Sequence, residues 1–152
     1  MKACCFTGHR DIPVHEEEQL KARILREIYN LVLQGVTVFR NGGALGFDML
    51  AAECVIEQKE AFPDIKLVMD VPHRGQADAW PAEQQQRYHL LLELADEVNI
   101  LSEHYFRGCM YARNRHMVDR SELLIAYVRK STGGSYYTRS YALEQGKTVV
   151  DV

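Results

Sequence analysis

A chain of 152 residues fits one domain with one core, because domains usually run about 100–200 residues. Hydrophobic residues make up 47% and charged residues 26%, which excludes disorder and fibrous repeats, and a formal net charge of −3 excludes a surface given over wholly to nucleic acid or anionic membrane. No apolar run approaches the ~18–20 residues that cross a bilayer, and the apolar stretch before Thr7 is too short for a signal peptide, so a cytoplasmic location with no membrane partner is expected.

Ala3 to Phe6 is a short apolar run that predicts a first strand ending at Thr7-Gly8. A helix follows, with Leu20, Ile24, Ile28, Leu31 and Val32 on one face, Glu16, Glu17 and Glu18 in its first turn and Gly35 as its stop. Val36 to Arg40 is a second strand closed by Asn41-Gly42-Gly43, and Phe47, Leu50, Ala51, Cys54 and Val55 then repeat with helical spacing. Ile65 to Val71 is a third strand, stopped by Pro72. Pro81 takes the N1 position of a helix that turns Tyr88, Leu91, Leu92 and Ala95 inward. Val98 to Leu101 is a fourth strand, and an irregular stretch from Ser102 to Gly108 leads into a helix from about Cys109 to Arg120. Leu123 to Val128 is a fifth strand, Gly133-Gly134 opens a last helix that stops at Gly146, and Thr148 to Val152 is a terminal strand.

Six strands alternating with five helices predict an α/β three-layer sandwich of Rossmann-like type, with a mainly parallel sheet and right-handed crossovers. Several strands read as continuous apolar runs, as expected where helices cover both faces. Cys4, Cys5, Cys54 and Cys109 show no C-x-x-C spacing, which points away from disulfides and structural zinc. Cys4, Cys5 and Cys54 read as small buried hydrophobes, with Cys109 less clearly so.

In a parallel sheet the strand carboxyl ends share one edge, and ligands settle in the crevice outside it. Seven of the ten glycines fall in the loops predicted there, so a bound group could approach the backbone closely. Helices beginning near Gly46 and Ser135 would aim unpaired N–H groups at an anion, and Arg10 and Arg74 follow the first and third strands. Each glycine loop taken alone reads more readily as a tight turn, whereas three on one edge together with Arg10 and Arg74 favour an anion site. The chain has neither a Walker A loop nor G-x-G-x-x-G, which disfavours ordinary kinase and dehydrogenase chemistry.

The ordered set Cys5-Phe6-Thr7-Gly8-His9-Arg10, Gly43-Ala44-Leu45-Gly46-Phe47-Asp48, Trp80, Arg87-Tyr88, Arg113-Asn114 with Met117-Val118, and Gly133-Gly134 resembles the YpsA-like proteins of the SLOG superfamily. These are Rossmann-like domains related to the LOG phosphoribohydrolases, DprA-type single-strand DNA binders and molybdenum-cofactor carriers. The resemblance covers nearly the whole chain. It implies a nucleotide or nucleotide-derived ligand, ADP-ribose-like or phosphoribosyl compounds first, at the glycine-rich edge. Carried over residue by residue, it places Gly8, His9 and Arg10 in the first binding loop, Gly43, Gly46 and Asp48 in the second, Arg113 and Asn114 on the fourth helix, and Gly133 and Gly134 in the last loop. Gly42, Arg74, Trp80 and Ser135 complete the candidate ligand-binding set, and no catalytic residue is assigned. The LOG enzymes carry Pro-Gly-Gly-x-Gly-Thr-x-x-Glu, whereas this chain reads Thr132-Gly133-Gly134-Ser135-Tyr136-Tyr137-Thr138-Arg139-Ser140, so phosphoribohydrolase activity is not inherited from that motif.

Several of these residues have a second reading. Asp48 stabilises a helix start or accepts a ribose hydroxyl, and the structural role is favoured. His9 serves as a general acid or base, or, as favoured, in turn geometry and ligand hydrogen bonding. Arg113 lies on an apolar face, where it needs a partner, either an internal carboxylate such as Asp48 or a bound phosphate. Trp80 closes the ligand edge or packs the third loop onto the sheet. The six histidines show no ligand spacing, so no metal is expected, nor any cofactor beyond the nucleotide-like ligand.

A binding or sensing domain is the leading expectation. The alternatives are a nucleotide-processing hydrolase using His9 or Asp48, and a single-strand nucleic-acid binder suggested by the arginines, Tyr105, Phe106 and Tyr111 of residues 104 to 120. A homo-oligomer or protein partner is compatible with each.

Overall fold

The computed structural model describes residues 2–152. Strands and helices alternate as β1 (Lys2–Gly8), α1 (Val14–Leu33), β2 (Val36–Asn41), α2 (Phe47–Gln58), β3 (Lys66–Val71), α3 (Ala82–Leu94), β4 (Glu97–Ile100), α4 (Cys109–Asp119), β5 (Leu123–Tyr127), α5 (Gly134–Glu144) and β6 (Thr148–Asp151). Every neighbouring pair of strands is parallel, in the order β4-β3-β2-β1-β5-β6. The α/β Rossmann-like fold expected from the sequence is therefore the fold observed.

The chain steps outward from β1 to β4, then returns across the sheet to lay β5 on the free side of β1. Right-handed crossovers in opposite directions put their helices on opposite faces. Accordingly α2 packs between α1 and α3, while α4 packs against α5. The period-two alternation of strand side chains then divides the apolar residues. Cys4 and Phe6 of β1, Phe39 of β2, Leu67 and Met69 of β3 and Ile125 of β5 join Leu20, Ile24 and Ile28 of α1 in the larger cluster. Cys5, Leu124 and Ala126 face the other way, onto Met117, Val118 and Ala142. The single core expected from chain length is thus two clusters separated by one sheet, because a parallel sheet is covered on both faces.

Three local expectations shift. Helix α1 begins at Val14, so its first turn holds Glu16 and Glu17 but not Glu18. Pro81 is the N-cap of α3, one residue before the predicted N1, and its extended ψ of 148° shows why it precedes the helix. Thr7 and Gly8 are still paired with Ala126 and Tyr127 and so belong to β1. All four cysteines are buried and unpaired, Cys109 included. Burial pushes the Cys5 and Cys54 thiols up to about 12, so neither is a nucleophile near neutral pH. Among the described residues no helix is long and apolar enough to cross a membrane.

Candidate functional site at the strand-order reversal

Loops diverge where the strand order of an open parallel sheet reverses, and a crevice opens between them. Here the reversal lies between β1 and β5. A cleft of about 390 Å³ sits there, lined by Thr7, Gly8, His9 and Arg10 from the end of β1, Ala44 and Asp48 from the start of α2, Met110, Tyr111, Arg113 and Asn114 from α4, and Gly134 and Ser135 from α5. A second hollow of about 670 Å³ shares His9 and Arg10 and is bounded by Tyr127, Arg129 and Lys130.

The two helix starts predicted to face a ligand differ. At α2 the Phe47 N–H donates to the His9 carbonyl at 3.1 Å, and Gly46 lies so close against the Arg10 carbonyl that a Cβ would collide with it. The first N–H of that helix is thus taken up in holding the first loop. At α5 the N-cap is Gly133, with φ of 97°, and no side chain caps the helix, so the first-turn N–H groups at Gly134 and Ser135 are the ones that line the cleft.

Arg10 is exposed and, among the described residues, forms no ion pair. Arg113 is in the opposite condition. Only 3% exposed, it donates from Nη1 to the Gly42 carbonyl at 2.6 Å and from Nε to Asn114 Oδ1 at 2.9 Å, with longer contacts from Nη1 to the Asp70 carbonyl at 3.3 Å and Gln76 Oε1 at 3.4 Å. Within the protein its hydrogen-bond partners are neutral oxygens rather than the carboxylate of Asp48, and it still lines the cleft. Asp48 is buried beside it and accepts the Ala44 N–H at Oδ2, 3.4 Å away. Burial pushes the Asp48 carboxyl up to about 6, against the opposing pull of the Arg113 charge and the Ala44 N–H.

His9 accepts the Arg129 backbone N–H at Nε2, 2.7 Å away, which requires a neutral ring protonated at Nδ1. Burial, with Lys130 and Arg129 nearby, holds the imidazole below the ordinary histidine range. The ring also meets Tyr127 edge-on at 5.7 Å, so His9 ties the end of β1 to the loop after β5.

Of the predicted set, Gly8, His9, Arg10, Asp48, Arg113, Asn114, Gly134 and Ser135 come together in the cleft. Gly42 and Gly43 lie beneath it. A Cβ on Gly42 would sit 2.5 Å from the Arg113 guanidinium carbon, and one on Gly43 would sit 2.9 Å from the Tyr88 ring, so both glycines make room for the protein's own side chains. Trp80 packs edge-on against Tyr88 of α3 at 5.2 Å and joins the larger core cluster, fastening the third loop to that helix. Arg74 lies in a separate depression, paired with Glu103 at 2.7 Å with both side chains largely exposed. Sequence reasoning missed Gln76, which donates to the Gly42 carbonyl at 3.1 Å, and the pairing of Arg129 with His9, because neither residue carries a spacing signal. Among the described residues no three His, Cys, Asp or Glu side chains gather as a metal site.

Residues 4–149 match the model of the YspA SLOG family, YpsA. A UPF0398 protein of Halalkalibacterium halodurans is 31% identical over 137 residues, covering 88% of this chain and 72% of that protein. The fold resembles DNA processing protein A (DprA) of Streptococcus pneumoniae, with a TM-score of 0.70 at 18% identity over 99% of this chain. It also resembles DprA of Helicobacter pylori, which binds single-stranded DNA, with a TM-score of 0.67 at 20% identity. The chain spans 50% and 64% of those two proteins, so the likeness concerns the shared fold. With a family model matched along nearly its whole length, the chain belongs to the YpsA SLOG family.

Proposed function

We propose that the cleft binds the phosphate end of a nucleotide or nucleotide-derived small molecule, with ADP-ribose-like and phosphoribosyl compounds as the first candidates. The observation that carries this reading is the uncapped N-terminus of α5 opening into a cleft at the strand-order reversal, with the unpaired Arg10 at its rim. First-turn N–H groups and the helix dipole favour an anion there, and an exposed guanidinium adds a planar fork for phosphate oxygens. Gly134 leaves its backbone uncovered, with nothing within 4 Å of where a Cβ would stand, whereas Gly8 makes room for the Phe47 ring. Arg113 supports the reading indirectly, as the post that fixes the β2 end and Asn114.

Titration calorimetry with ADP-ribose tests it. Arg10→Ala and Gly134→Val should each weaken binding by about tenfold or more while leaving the circular dichroism spectrum unchanged, since truncating a charge-assisted contact typically costs ~1.5–3 kcal/mol. The absence of any heat or melting shift with a panel of nucleotides, dinucleotides and nucleotide sugars at millimolar concentration would refute the reading.

A hydrolase is the second reading, and it is favoured by Asp48. A carboxyl at about 6 in a cleft is poised to exchange protons near neutrality. Product formed over many turnovers from the same panel, abolished in Asp48→Asn, would move the assignment from binding to catalysis. The single-strand nucleic-acid reading draws less support. Arg113 is withdrawn from the basic run into the interior, although Tyr105, Phe106 and Tyr111 stay exposed.

A further inference from the structure

Beside the cleft, helices α4 and α5 enclose a second hollow of about 260 Å³. It shares Tyr111 and Asn114 with the cleft, so the two hollows adjoin along α4. Its walls carry Tyr111 and Arg115 from α4 and Tyr137, Tyr141 and Glu144 from α5. Spacings of three and four residues put each helix's contributors on one face. The aliphatic contact between these helices and the sheet is made by Met117, Val118 and Ala142 in the smaller cluster. Tyr111 and Tyr137 take no part in that cluster and stand 45% and 54% exposed over the hollow. Tyr141 is fixed by its hydroxyl, which donates to Asp119 Oδ1 at 2.6 Å. Asn114 accepts Arg113 Nε at Oδ1, which leaves its NH₂ group as the unused donor.

We infer that this hollow seats the planar base of the ligand whose phosphate end occupies the cleft, stacked against Tyr111 and Tyr137, so the ligand class is a nucleoside 5′-phosphate or a derivative of one. The inference rests on the phosphate reading of the cleft. Along α5 the step from Gly134 to Tyr137 and Tyr141 is about 5–10 Å at ~1.5 Å per residue, which matches the reach from a phosphate across a ribose to its base. Half-exposed aromatic rings are surfaces that gain by covering a flat ring, and the Asn114 amide and Glu144 carboxylate offer the base edge one donor and one acceptor. A sugar phosphate without a base would leave the hollow unused.

The test compares pyrophosphate, ribose 5-phosphate and ADP on the wild-type chain and on Tyr111→Ala, Tyr137→Ala and Tyr137→Phe by titration calorimetry, with circular dichroism as the check on folding. ADP should bind the wild type more tightly than either base-free probe. Each alanine variant should lose about 5- to 150-fold in ADP affinity, the range expected from base–aromatic stacking, while pyrophosphate binding stays unchanged in Tyr137→Ala, whose side chain lies outside the cleft, and Tyr137→Phe keeps most of the ADP affinity. Equal affinity of the wild type for ADP and pyrophosphate, or a Tyr137→Ala variant that weakens both probes alike, would overturn the base seat while leaving the phosphate cleft standing. Binding of none of the three probes would overturn the phosphate reading and the base seat with it.

Discussion

Removing the Arg113 side chain should cost the ligand-free protein much of its stability. Its two shortest contacts are charge-assisted bonds, that to the Gly42 carbonyl at 2.6 Å buried and that to Asn114 Oδ1 at 2.9 Å partly so. At ~1.5–3 kcal/mol each they amount to roughly 3–6 kcal/mol. Two effects offset part of this. Deleting the cation ends its desolvation, and the Gly42 carbonyl keeps the Gln76 amide as a donor at 3.1 Å. A net loss of about 2–4 kcal/mol remains for Arg113→Ala, and at ~2–4 °C per kcal/mol for a chain of this size the melting temperature should fall by roughly 4–16 °C. Scanning calorimetry near neutral pH reads this directly. Arg113→Lys should recover only part of the loss, because an ammonium cannot span both acceptors as the planar fork does. Arg10→Ala serves as the contrast and should leave the melting temperature of the free protein unchanged. An Arg113→Ala protein melting within ~2 °C of the wild type would refute the reasoning, because a post that carries no load cannot position the β2 end.

The glycines give a paired test in urea denaturation. Gly43 has φ of 69° and would press a Cβ against Tyr88, so Gly43→Ala should cost about 2 kcal/mol or more, whereas Gly134 faces open space without positive φ and Gly134→Ala should gain ~0.4–1 kcal/mol. Equal effects at the two positions would show that the close approach at Gly43 is not tight. Asp48 has a folded value near 6, above the ordinary 3.8, so its contribution to stability is fully present below the unfolded value and is lost as pH rises through about 6. Asp48→Asn should therefore melt higher than the wild type near pH 8, with the difference vanishing towards about pH 4. A difference that does not change with pH would show that burial does not control this carboxyl.

The architecture was legible because its signals are local and repeated. Leu20, Ile24 and Ile28 carry the helical period, and the runs around Cys4–Phe6 and Leu124–Ala126 lack polar alternation because both faces are covered. Much of the cleft was legible too, since a parallel sheet sends its loops to one edge whatever the side chains do next. Lost at this stage was the direction in which long side chains turn. The helical period of α4 places Arg113 toward the sheet edge but leaves several ångströms of rotamer freedom. Only the positions of the Gly42 carbonyl and Gln76, far away in sequence, decide that its guanidinium points into the protein. Arg74 and Trp80 failed to join the cleft for a related reason. Each follows β3, which lies two strands from the reversal, and a loop that far along the edge meets Glu103 or Tyr88 before it can meet β1.

The sheet order also sets the sequence of events in folding. Strand β1 lies at the centre, pairing with β2 on one side and with β5 on the other, where Cys4 meets Leu123. The first pairing closes a loop of ordinary βαβ length, whereas the second must wait for a segment more than a hundred residues further along the chain. On the ribosome, β1 to β4 with α1 to α3 are all made while one edge of the central strand is still bare and the Cys5 face is uncovered. Emergence of β5 and α5 ends that exposure, and the same step brings His9 to Arg129 and α5 to the cleft. The cleft is therefore assembled only once β5 and α5 have emerged, and a chain released before β5 has none.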